Sequence, residues 1–126
     1  MKTIFAKNIW TENRAITERD LINYKFECDI FINEIKLNDN MTINRENNIT
    51  YVFKNDYNDL SWMFDRCYSL SSINLSNFNT NNVTNMSSMF FGCDSLSNID
   101  LSNFNTENVR YIDFKIRNQL IIDLMI

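Results

Sequence analysis

Leu60-Ser61-Trp62-Met63-Phe64-Asp65-Arg66-Cys67-Tyr68-Ser69-Leu70-Ser71-Ser72-Ile73-Asn74-Leu75-Ser76-Asn77-Phe78-Asn79-Thr80 is the stretch on which the fold turns. Its pattern returns 26 residues later: Met63-Phe64, Cys67, Leu70, Ile73 and Leu75-Ser76-Asn77-Phe78-Asn79-Thr80 are repeated from Met89-Phe90 to Thr106. A period of this length marks an architecture of stacked units, none of which can bury its apolar face alone. Leu70-x-x-Ile73-x-Leu75 has the spacing of a leucine-rich-repeat strand. Ile73 and Leu75 then share one face, and Ser72, Asn74 and Ser76 take the other. Asn79 to Asn82 offer N-cap side chains. Val83, Met86, Met89, Phe90 and Cys93 follow at steps of three and four, which predicts a helix. Each unit thus reads as strand, polar turn and helix. The expected class is α/β, a short leucine-rich-repeat solenoid with a parallel sheet.

The run Met-Phe-x-x-Cys-x-Ser-Leu-x-x-Ile-x-Leu-Ser-Asn-Phe-x-Thr-x-x-Val, carried by Met63 to Val83 and Met89 to Val109, resembles the repeat of BspA-like leucine-rich-repeat surface proteins. The same repeat is known in mycoplasma-type lipoproteins. The likeness spans residues 57–112. It implies a scaffold for protein binding, often at a cell surface, and it carries over no catalytic residue.

Working outward, two domains are expected: a cap over 1–56 and the repeat over 57–126. Tyr24, Phe26, Cys28, Ile30 and Ile32 alternate along one strand face. Asn33-Glu34 turns the chain toward Ile35 and Leu37, and Met41-Ile43 and Ile49-Tyr51-Phe53 alternate again. This predicts a β-meander that covers the open end of the repeat. Residues 1–20 carry little pattern; Ile4-Phe5 and Ile9-Trp10 can begin a strand, and Thr17-x-x-Asp20 can cap a weakly patterned helix. The third unit starts at Val109 and then departs, with Lys115-Ile116 in place of Met-Phe and Gln119 in place of Cys. A final strand is expected at 120–125. Its apolar end leaves 120–126 an uncovered edge, for which truncation, a partner chain or self-association as a homodimer through 120–126 would each account.

Composition narrows the chemistry. The chain has 126 residues, a net charge of −4 and no Lys/Arg run, which speaks against nucleic acid. Histidine is absent, which removes the commonest general base and metal ligand. The three cysteines form no C-x-x-C pair, and Cys67 and Cys93 read as buried equivalents in successive units. One glycine excludes a phosphate-cradling loop. The expectation is therefore no enzyme, no cofactor and no metal site. Asparagine is abundant, 22 residues, and can replace glycine at bends through side-chain turns. No stretch is apolar enough to insert in a membrane and no signal peptide is legible, so three cysteines suggest a reducing setting. The resembled family is often at the surface, and localisation stays open.

The expected function is a non-catalytic protein–protein interaction module. The alternative is a structural or degenerate repeat with no independent partner, or one that only self-associates. The expected binding face is the outward strand face, Ser72, Asn74, Ser76, Asn98, Asp100 and Ser102. These side chains are small and polar, so Trp62, Tyr68 and Phe91 are the candidate aromatic anchors. Any partner is an unidentified protein.

Overall fold

A computed structural model describes residues 2–102, 104–113, 115–116 and 119–120. The fold is nearly all β. Among the described residues the helical content is one 3-10 turn, Glu18–Asp20, where the Thr17 and Asp20 capping box forms. The strands are β1 (Lys2–Ile9), β2 (Cys28–Ile32), β3 (Ile35–Lys36), β4 (Glu46–Phe53), β5 (Leu70–Asn74), β6 (Asn85–Ser87), β7 (Asn98–Asp100), β8 (Tyr111–Asp113), β9 (Lys115–Ile116) and β10 (Gln119–Leu120). Six of them make one mixed sheet in the order β3-β2-β4-β1-β5-β7. All its pairings are antiparallel except β5 with β7. The expected α/β strand-turn-helix solenoid is thus corrected to a mixed β architecture.

The reason lies in the backbone between the strands. A helix needs each N–H to reach the carbonyl four residues back. Here Met63, Asp65 and Cys67 donate to carbonyls three residues back, closing successive tight turns. The intervening N–H groups of Leu60, Trp62, Phe64 and Arg66 point to the next unit and donate to Asn85, Ser87, Met89 and Phe91 carbonyls at 2.6–3.1 Å. Trp62 and Arg66 adopt positive φ (63° and 59°), and so do their equivalents Ser88 (55°) and Gly92 (80°). A left-handed residue every fourth position stops a right-handed helix. It also leaves apolar side chains at steps of three and four, so the spacing imitates a helix. Leu60, Met63, Phe64, Cys67, Leu70 and Ile73 all point inward and are buried.

Successive units stack in register. Ser72, Ile73 and Asn74 pair in parallel with Asn98, Ile99 and Asp100, and Asn85 to Ser87 pair with Tyr111 to Asp113. Side chains follow the same period: the Phe64 and Phe90 rings lie parallel at 6.0 Å. The asparagines serve the bends. Asn74 Oδ1 accepts the Ser76 N–H and Asp100 Oδ1 the Ser102 N–H, each at 2.9 Å. Asn79 accepts from Asn81, and Asn105 from Glu107, in the same way. Side-chain turns of this kind bend a chain without glycine.

The N-terminal segment closes the first unit. Asn23 N–H reaches the Met63 carbonyl and Ile9 N–H the Ser69 carbonyl, both at 2.8 Å. Asp65, nearly buried, is held by Arg19 Nη2 (3.1 Å) and Asn23 Nδ2 (2.9 Å). β1 enters the sheet between β4 and β5, so N-terminal strands and repeat share one core. The weakly patterned helix expected at Thr17 yields only the 3-10 turn, and no strand forms at 41–43. Of the final strand expected at 120–125, only Leu120 is described, in β10, which pairs with β9; residues 121–126 lie outside the described residues.

Gly92 is the one position where glycine is required. A Cβ there would sit 3.2 Å from the Arg66 N and Cα of the preceding unit, on a backbone already at φ 80°. Gly92→Ala is therefore expected to cost about 1–3 kcal/mol. A thermal midpoint equal to that of the parent chain would show that the turn at 92 is not seated against Arg66.

Candidate functional site

Two lateral rows on the outer face of the sheet form the site. Pairing places Asn48, Lys7, Ser72 and Asn98 side by side on β4, β1, β5 and β7. One step along the strands, Thr50, Phe5, Asn74 and Asp100 make the second row. The rows exist because alternation sends Ile4, Ala6, Ile49 and Ile73 inward, leaving their neighbours to face out. Together they line a shallow concavity of about 350 Å³ over the strand segments of Ala6, Ile49 and Ile73, whose own side chains are buried on the inner face.

Four of the six expected face residues meet here: Ser72, Asn74, Asn98 and Asp100. Ser76 and Ser102 do not line the concavity; each lies past the end of its strand and gives its N–H to the bend. Asn74 and Asp100 each commit one side-chain oxygen to that bend, so the Asn74 Nδ2 and the second Asp100 oxygen remain turned to other uses. The expected anchors lie elsewhere. Trp62 and Phe91 meet edge-to-face at 5.7 Å, on the turn side of the units. Trp62 holds its exposed indole on a strained left-handed backbone. Tyr68 lines a separate depression with Trp10, Arg14 and Asp20. There Arg14 pairs bidentately with Asp20 (2.9 and 2.8 Å) and lies 5.0 Å over the Trp10 ring. Burial pushes the Asp20 carboxyl up, but hydrogen bonds from Arg14 and Thr17 outweigh it and hold the group below its ordinary value.

The aromatic that lines the concavity is Phe5, 43% exposed, with Lys7 beside it. Sequence reasoning missed both. The signal was Thr3-x-Phe5-x-Lys7-x-Ile9 alternating with Ile4, Ala6 and Asn8, a pattern that matters only once β1 is known to lie beside β5.

Two of the three thiols lie in the core. Cys67 and Cys93 are buried, and Cys93 Sγ donates to the Phe64 carbonyl at 2.9 Å. Burial pushes the Cys93 thiol up to about 12 and Cys67 upward as well. Among the described residues no group of three or more His, Cys, Asp or Glu side chains is placed to hold a metal ion. Among the described residues no helix is long and apolar enough to cross a membrane.

Stacked 26-residue β units closed by an N-terminal sheet thus define the class of protein. The chain belongs to a family described as Mycoplasma protein of unknown function, DUF285, whose profile matches residues 39–119. No curated protein and no solved structure matches the chain.

Proposed function

We propose that this chain is a non-catalytic protein–protein interaction module that binds through the outer face of its six-stranded sheet. The observation that carries the proposal is the merging of β5 and β7 with the N-terminal strands. That merging turns a small repeat face into part of one continuous six-stranded surface. Six strands about 4.8 Å apart and up to eight residues long give a face on the order of 600 Å², approaching the ~800 Å² per partner of a standard interface. It carries a half-exposed aromatic, Phe5, among polar side chains, and so has a hydrophobic anchor with a polar rim. The likeness of the repeat to BspA-like surface proteins supports the same reading, and the surface setting of that family is part of the proposal.

The test is capture of a partner from extract by immobilised chain, against a Ser72→Ala/Asn74→Ala/Asp100→Ala variant. Loss of most captured protein, tenfold or more, is expected. Capture that ignores the three substitutions would refute the face.

A second reading is favoured by one observation. Strand β7 pairs with β5 on one side, and among the described residues no strand takes its other side. An unpaired strand edge is a template for another strand. A chain that self-associates in light scattering and captures nothing would be a structural repeat instead. A monomer that captures a partner supports the binding module.

A further inference from the structure

The chemistry of the concavity on the outer face is more specific than a general protein contact. We infer that it binds a neutral saccharide, a mono- or disaccharide unit such as the terminus of a glycan. This rests on the same face as the binding reading above, and it names what that face recognises.

Asn48, Thr50, Ser72 and Asn98 line the concavity, and among the described residues their side chains make no hydrogen bond. Asn74 keeps its Nδ2 free of such a bond, and Asp100 uses only one carboxylate oxygen. An amide presents a donor and an acceptor side by side, and a hydroxyl is both at once. Vicinal sugar hydroxyls present the same alternation. Phe5 stands in the middle of the second row between Thr50 and Asn74. Its exposed ring offers an apolar surface to the C–H face of a pyranose. A cavity of about 350 Å³ with one exposed aromatic ring and a few convergent polar groups is of small-ligand size.

Other ligand classes fit less well. Lys7 is balanced by Asp100, so the site has no net charge to select an anion or a nucleic acid. An extended peptide recognised by strand addition needs unpaired backbone groups. β1, β4 and β5 are each paired on both sides, and the open edge of β7 lies at the end of the sheet, so over β1, β4 and β5 the concavity offers side chains only. The ligand must therefore be read by hydroxyl and amide contacts and by stacking.

The experiment uses the purified full chain and three neutral probes: methyl α-mannoside, methyl β-galactoside and N-acetylglucosamine. Saturation-transfer NMR is expected to show transfer to the ring protons of at least one probe, with affinity in the millimolar range. Phe5→Ala and Asn98→Ala should each cut the transfer by tenfold or more. Both residues are exposed on the outer face, so the variants should keep the parent unfolding midpoint. Trp62→Ala, on the turn side, should leave transfer unchanged. Absence of transfer from all three probes to the parent chain would overturn the inference, as would transfer indifferent to Phe5→Ala. The binding module itself is tested separately, by capture from extract stripped of glycans. Capture that persists there and still needs Ser72, Asn74 and Asp100 would overturn the saccharide and keep the protein partner.

Discussion

Phe64→Ala is expected to destabilise the chain by about 3–5 kcal/mol, the usual cost of emptying a buried phenylalanine site. Phe64 is fully buried. It stacks on Phe90 of the next unit at 6.0 Å and meets Tyr51 of β4 edge-to-face at 5.5 Å. One ring therefore joins the first unit, the second unit and the N-terminal sheet. The void cannot be filled by collapse on one side without opening another, so the loss should lie high in its range. Small domains are stable by only about 5–15 kcal/mol, so a third or more of the total is at stake. Urea unfolding should show a fall in midpoint of about 2 M with little change in slope. Tyr68→Ala, at an exposed ring, should stay within about 0.5 kcal/mol of the parent. A Phe64→Ala loss below 1 kcal/mol would mean that the three elements do not share a core.

Alkaline conditions should unfold the chain between pH 9 and about 12, the latter being where the Cys93 thiol ionises in the folded state. Burial raises Cys67 and Cys93, and it raises the Tyr51 phenol, whose hydroxyl donates to the Leu21 carbonyl at 2.7 Å. Each group is a neutral acid with a folded pKa above its unfolded value. Its contribution is fully present below the unfolded pKa. Above that, the unfolded state sheds its proton and the folded state keeps it, so stability falls with pH until the folded pKa is reached. Each buried group should remove roughly a kcal/mol per pH unit. Unfolding in reducing buffer at pH 8, 9, 10 and 11 should show a plateau and then a steepening decline. Cys67→Ala/Cys93→Ala should flatten it. Constant stability from pH 9 to 11 would contradict the burial of these groups.

Some of this fold is legible in the residues alone. The 26-residue period predicts which positions stack, and Ser72 to Asn74 do pair with Asn98 to Asp100. The strand at Leu70 follows from its apolar spacing. The helix does not form because the three-and-four spacing has two causes, a 3.6-residue turn or a succession of tight turns. Only Gly92 hints at the second, since Trp62, Arg66 and Ser88 are not residues that advertise a left-handed backbone. β1 is illegible for a different reason. Its partners are β4 and β5, some forty and more residues away, and no local pattern records such a pairing. That gap hid Phe5 and Lys7 and made the face look small. The anchors chosen instead lie off the sheet: Trp62 and Phe91 meet on the turn side, and Tyr68 lines a separate depression.

The most direct test of the outer sheet face as the binding surface is an NMR titration of the isotope-labelled chain with its captured ligand. Amide shifts should concentrate at residues 5–7, 48–50, 72–74 and 98–100, the segments that line the concavity. Shifts that gather instead at Trp62, Tyr68 and Phe91, with those four segments unmoved, would contradict the account.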